Sequence, residues 1–274
     1  MPFLDLDDIS IHYIVEGDSG PAIVWIPGGD AIAESYRPMM KKLHGFRNIS
    51  LDPCGAGETC TTRPAPWTIE QMADDVAALI RKECDGPVVA TGISMGALIT
   101  QMLAIRHPDL IRCGIPMGTT ADVTGFVRDW MIAEVEFRRQ GFKMTKEFAI
   151  THYGGFLYSA DILGDDEQWA RIYKYMDATY SERDDSDFIN QWQACIDYDI
   201  TRELPHCDVP LHVIAFDADL QTPPARGRRV ADLAKNSTFN LLPGGHIASK
   251  NISIDAATDL IAGFSRKAYG LPEG

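Results

Sequence analysis

Apolar and polar positions along this chain follow three different rhythms. Residues 3–6 and 9–15 alternate between the two kinds, as half-buried strands of an antiparallel pair do. The run "AIVWIP" at 22–27 is apolar throughout, the pattern of a strand covered on both faces. Residues 68–83, "TIEQMADDVAALIRKE", place their apolar side chains three and four apart, which predicts a helix with Thr68 as its N-cap. The same reading predicts a helical stretch near 33–44, a strand at 47–52, a strand at 87–92, a helix at 95–106 and a strand at 111–116. It resumes with a strand at 209–216, a helix near 224–234, a strand at 237–242 and a closing helix near 253–268. Strand and helix in this alternation build an α/β architecture, a mostly parallel sheet with helices on both faces.

Residues 121–203 break the alternation. No convincing strand pattern occurs there, and helical stretches such as "DWMIAEVEFRR" and "EQWARIYKYMDATY" dominate. The segment holds 15 of the chain's 25 aromatic residues. An aromatic-rich helical insertion after a sheet strand is expected to lie over the carboxyl ends of the strands, where open α/β sheets bind ligands. The expected organisation is therefore a core of residues 1–120 and 204–274 with a helical cap at 121–203.

Composition narrows the field of partners. The formal net charge of −14 disfavours nucleic acid and anionic lipid. No apolar run is long enough to span a membrane, and acids stand at the N-terminus where a signal peptide carries basic residues; a cytoplasmic protein is expected. The six cysteines are scattered without a C-x-x-C pair, so reduced thiols are expected and no metal site, although Cys54 and Cys60 are near enough in sequence to bridge.

The candidate chemistry begins at "VVATGISMGALITQ", residues 88–101. A β-like run meets G-I-S-M-G and turns at once into a helix. On such a turn Ser94 projects its hydroxyl above the sheet, and Gly92 and Gly96 are small because neighbouring backbone passes close by. The following helix turns free N–H groups and the positive end of its dipole toward the same place. This is the G-x-S-x-G nucleophile elbow, whose partners follow in the chain order serine, acid, histidine. A serine hydroxyl needs a base, and the base an orienting acid. His246, in the glycine-rich "LLPGGHIAS" after the last strand, is the expected base. His12 and His212 fall within strands, and the other histidines precede the acid. The acid is expected in "FDADLQTPP", with Asp219 preferred and Asp217 read as a turn residue bonding local backbone. Oxyanion donors are expected from the backbone N–H of Met95 and of Gly29, in the loop "IPGGDAIAE".

With these loops in view, the chain resembles α/β-hydrolases with a helical cap over essentially its whole length. "DPCGAGET" at 52–59 is similar to their D-x-R-G-x-G-x-S loop, with Cys54 in place of the arginine. Pro27-Gly28 stands where His-Gly is usual. The nearest resemblance is to small ester and lactone hydrolases, such as oxoadipate enol-lactonases and the aclacinomycin methylesterase type. It implies attack by Ser94 on an ester or lactone carbonyl and hydrolysis of an acyl-enzyme, without metal or organic cofactor. Two alternatives stay open: hydrolysis of a carbon–carbon bond by the same three residues, and a slow-turnover small-molecule receptor of the same fold. The loops 27–32, 92–97 and 243–248 contain no Arg or Lys. A neutral, largely apolar small molecule is therefore the expected partner, with Asp30, Trp130, Tyr153 and Trp192 as candidate contacts. A homo-oligomer is compatible with the sequence.

Overall fold

Strands that are apolar on both faces need cover on both sides, and the computed structural model supplies it. It describes residues 2–180, 185–247 and 251–272. The elements run β1 (Phe3–Asp5), β2 (Ile9–Glu16), β3 (Ala22–Ile26), α1 (Arg37–Met40), β4 (Arg47–Leu51), β5 (Cys60–Thr61), α2 (Ile69–Glu83), β6 (Val88–Ile93), α3 (Met95–Arg106) and β7 (Ile111–Met117). Then come α4 (Phe126–Arg139), α5 (Lys146–Leu157), α6 (Ala160–Leu163), α7 (Asp166–Thr179) and α8 (Asp185–Ile196). The chain returns with β8 (Leu211–Phe216), α9 (Pro224–Leu233), β9 (Ser237–Leu242) and α10 (Asn251–Ala268).

The strands form one sheet in the order β1-β2-β4-β3-β6-β7-β8-β9, with β5 also paired to β2. β1, β4 and β5 meet β2 antiparallel. From β4 through β9 every pairing is parallel. Side chains alternate between two cores. Val24, Ile26, Val88, Ala90, Leu211 and Val213 pack with α2, α3 and α9. Ile23, Trp25, Val89, Ile214 and Phe216 face the other side, where Tyr36, Met40, Ala257 and Ile261 cover them. This is the α/β-hydrolase architecture, a mixed, mostly parallel sheet with helices on both faces.

Local rules explain the helix ends. Thr68 caps α2 in a reciprocal box: its side chain accepts from Gln71 N, and the Gln71 side chain accepts from Thr68 N. The helical stretch expected near 33–44 is much shorter, a 3₁₀ turn at Ala33–Tyr36 followed by the single turn α1. Pro38 has no N–H for a bond back to Glu34, and its ring crowds that carbonyl, so a regular helix cannot run through. β5, two residues long, was not expected. The six cysteines are free, and Cys54 is buried while Cys60 is exposed. No helix among the described residues is long and apolar enough to cross a membrane.

Candidate active site

The β6–α3 turn takes its shape from what passes beneath it. Ser94 sits at φ 55° and ψ −125°, a conformation that non-glycine residues avoid and that persists only when the surroundings enforce it. Its N–H donates to Met117 O at 3.1 Å, and its carbonyl accepts from Ala97 N and Leu98 N at 2.8 and 3.1 Å. A Cβ on Gly96 would collide with the Ile26 carbonyl oxygen and stand 2.6 Å from that of Pro27; one on Gly92 would strike the Gly96 carbonyl. Only glycine fits at either place. On the other side Gly28 lies so close that a Cβ there would be 3.3 Å from Ser94 Cβ.

Asp219 and His246 meet across the ends of β8 and β9. Asp219 Oδ2 is 2.8 Å from His246 Nδ1 and accepts from Thr222 Oγ1 at 2.7 Å. Asp219 Oδ1 accepts from Gln221 N and Thr222 N at 2.8 and 2.9 Å. Burial of this carboxyl pushes its pKa up, but the charge and hydrogen bond of His246, with the bonds from Thr222, outweigh it and hold the pKa below the usual carboxylate range. His246 is 3% exposed, and its Nε2 is buried with no hydrogen-bond partner among the described residues. That nitrogen is the one the acid leaves available. His246 and Ser94 line the same cavity. Gly118, at φ 49°, ends β7 directly against the pair; a Cβ there would stand 3.3 Å from Asp219 Oδ2 and 3.4 Å from His246 Cε1.

Asp217 differs from its expected local role. Its Oδ1 accepts from Gly244 N, 27 residues away, at 2.9 Å. Ala218 N donates to Gly244 O at 2.9 Å beside it. Asp217 therefore ties the acid loop to the histidine loop, because β8 and β9 are neighbours and deliver both loops to one edge. The histidine loop is described as far as Ile247; Ala248 lies outside the described residues.

The loop after β3 presents its backbone to Ser94. Met95 opens α3, where the helix itself offers no acceptor for its N–H. Gly29 N–H makes no hydrogen bond among the described residues, and both residues line a cavity that reaches Ser94. Asp30 is exposed at the wall of a larger cavity, with φ 68°. Its N–H donates to Gln191 Oε1 at 3.0 Å, while Gln191 Nε2 donates to Cys54 O at 2.8 Å. Gln191, 1% exposed on α8, thus joins the inserted helices to two core loops at once. Asp52 braces the same region from below: its Oδ1 accepts from Ala33 N at 2.7 Å, and its Oδ2 meets His12 Nδ1 at 2.7 Å and Glu58 N at 2.8 Å.

The helices between β7 and β8 surround two cavities, about 460 Å³ and about 100 Å³. Trp130 and Trp192 line both. Trp130 stacks on Phe156 at 4.3 Å between ring centres and meets Trp192 edge-on at 5.0 Å. Tyr153 lines the larger cavity, but its hydroxyl is engaged: it accepts from Arg138 Nη2 at 2.7 Å and donates to Glu134 Oε2 at 3.1 Å. Glu134 also binds His152 and Arg138. Among the described residues, the charged ones lining the larger cavity are Arg138, Lys143, Asp30 and Asp185, two of each sign.

Thr222, Gln191, Asp52 and Gly118 were not anticipated in these roles. Thr222 had a local signal, since a hydroxyl residue three positions after an aspartate and before proline favours a side-chain-closed turn. Gln191 had none, because its partners lie far away in sequence.

Comparison with known proteins agrees with this fold. Residues 21–249 match the family model described as alpha/beta hydrolase fold. The chain is 27% identical over 251 residues to a Mycobacterium tuberculosis protein provisionally named non-heme bromoperoxidase BpoC, covering 87% of this chain and 91% of that one. It is 24% identical over 253 residues to 3-oxoadipate enol-lactonase 2 of Acinetobacter baylyi, covering 90% of each. Among solved structures, the enol-lactonase of Burkholderia xenovorans superposes with a TM-score of 0.84 at 23% identity, over 96% of this chain and 99% of that one. The chain belongs to the alpha/beta hydrolase fold family.

Proposed function

We propose that the protein is a serine hydrolase that cleaves a small, neutral, largely apolar carboxylic ester or lactone through an acyl-enzyme on Ser94. The observation that carries this reading is the state of His246. Its Nδ1 is held at 2.8 Å by Asp219, its buried Nε2 has no partner among the described residues, and the residue lines the same cavity as Ser94.

In this reading His246 Nε2 takes the Ser94 proton as Oγ bonds to the substrate carbonyl carbon. The oxygen becomes an oxyanion facing the N–H groups of Met95 and Gly29, donors preorganised before charge develops. His246 then passes the proton to the leaving alkoxide as the carbon–oxygen bond breaks. Water, deprotonated by the same nitrogen, attacks the acyl-enzyme and frees Ser94. Asp219 holds the imidazole in one tautomer and supports its cation. The steps require no metal or organic cofactor. Residues 121–203 act as a substrate-binding cap, with Trp130, Tyr153, Trp192 and Asp30 at its cavities. The balance of charge among the described residues lining the larger cavity supports a neutral substrate. The names of the two enol-lactonases similar to this chain support an ester-like bond as the target.

A panel of p-nitrophenyl esters and lactones tests the reading, with Ser94→Ala as the control. Turnover by the wild-type protein and a loss of about 10⁶-fold in kcat in the variant are expected. A Ser94→Ala variant within tenfold of wild type would refute the mechanism.

A further inference from the structure

The two cavities meet at Ser94 and form two rooms on either side of it. Gly29, Ser94, Trp130, Trp192 and Gln221 line both. His246 and Ile247 line the larger one only. Met95, Leu98, Val123, Val127 and Met131 line the smaller one only. The reacting carbonyl must lie at Ser94, the shared point, so the two halves of an ester extend into different rooms.

Proton transfer decides which half goes where. As Ser94 Oγ bonds to the carbonyl carbon, the Oγ proton moves to His246 Nε2. When the tetrahedral intermediate collapses, that proton moves to the alkoxy oxygen as its bond to carbon breaks. The alkoxy oxygen must therefore face His246, and the alcohol must extend into the room that His246 lines. The acyl half is left with the other room.

We infer that, on the serine-hydrolase reading on which this rests, the smaller cavity is an acyl site for short chains and the larger one a site for a bulky alcohol, so that the preferred substrate is a short-chain ester of a large, neutral alcohol. An apolar protein cavity of about 150 Å³ holds a benzene ring. By that measure 100 Å³ takes roughly four carbon atoms and 460 Å³ roughly eighteen heavy atoms. Part of the acyl room's lining is polar: Asp122, Thr124 and Arg226. Arg226 there donates to Thr124 Oγ1 at 2.7 Å and to Thr124 O at 3.0 Å, and lies 3.6 Å from Asp122. A longer acyl chain meets this group and would have to displace its bonds. A simple lactone carries both halves in one ring and fills neither room well, so open-chain esters are favoured over small lactones.

The experiment varies one half of the substrate at a time. One series keeps a naphthylmethyl alcohol and lengthens the acyl chain from acetyl to octanoyl; the other keeps butanoyl and enlarges the alcohol from methyl to naphthylmethyl. Beyond about five acyl carbons, kcat/KM is expected to fall about tenfold per added methylene. Enlarging the alcohol is expected to hold or raise it. Leu98→Ala and Val127→Ala, which widen only the acyl room, shift the acyl optimum to longer chains, whereas Phe142→Ala in the alcohol room leaves it in place. Ser94-dependent turnover with a flat or inverted preference would overturn the room assignment alone. Absence of turnover with every ester would remove the serine-hydrolase reading and this assignment together.

Discussion

The sheet and the inserted helices are built on different principles. α3 lies between strand and helix layers and buries every residue from Met95 to Ala104. α7, in the insertion, buries none. The sheet core is filled mainly by aliphatic side chains, with Trp25 and Phe216 among them, and at Gly92 and Gly96 backbone meets backbone with no room for a methyl group. The insertion is held by aromatics touching one another around open space: Trp130 on Phe156, Trp192 against Trp130, Phe188 on Trp192. Close packing tolerates few arrangements and therefore holds reacting groups in place. Loose aromatic packing around a cavity tolerates many and therefore suits choosing what enters. On the proposed serine-hydrolase reading, the contrast gives reaction geometry to the core and occupancy to the insertion.

The largest expected effect tests the core's share. Asp219→Asn should lower kcat by about 10⁴-fold, because the amide cannot hold the histidine in the required tautomer or support its cation. Asp217→Asn keeps an oxygen to accept the Gly244 N–H and should stay within a few-fold of wild type. Comparable losses in the two variants would place the acid elsewhere in the loop.

Two glycine substitutions then compare the regions directly. Gly96→Ala should destabilise the protein by at least about 3 kcal/mol, since the new methyl group meets two carbonyl oxygens that cannot retreat. Gly155→Ala, in α5, places its methyl group where no other atom lies within 4 Å. It should stabilise by about 0.5–1 kcal/mol by favouring the helix. Melting temperatures check both, and a Gly96→Ala protein as stable as wild type would contradict the packing account.

A more modest loss of activity tests the stitch between the regions. Gln191→Leu removes the acceptor for Asp30 N–H and the donor to Cys54 O. An unsatisfied buried amide costs about 1–3 kcal/mol, so kcat is expected to fall about tenfold as the Gly29–Asp30 backbone relaxes. An unchanged kcat would show that the Gly29–Asp30 loop keeps its form without help from the insertion.

Most of the sheet was legible: the unbroken apolar run at 22–27 covers the buried β3, Ala22–Ile26, and the stretch "STFNLL" at 237–242 coincides with β9, a half-buried edge strand. The helix expected at 95–106 is α3, residue for residue. β5 was invisible, since two residues carry no period. The stretch at 33–44 misled because its apolar spacing is helical while Pro38 forbids the backbone. Residues on loops after strands could be nominated because strand ends define where such loops emerge. Contacts that cross the fold could not be nominated. Gln191 and Cys54 are 137 positions apart, and nothing local to either marks the bond between them.

The closeness of Gly96 to the Ile26 and Pro27 carbonyls has a consequence for lineage as well as for mechanics. The turn that carries Ser94 and the strand that leads to Gly29 are wedged into one piece, so neither can drift without the other. Helices α4 to α8 enter and leave this piece at only two points of the chain, after β7 and before β8. Changes accumulating in those helices can reshape the two rooms while the wedge is handed down intact. A new substrate can then be accommodated with the wedge unchanged, so long as Gln191 keeps its bonds to the Asp30 and Cys54 backbone.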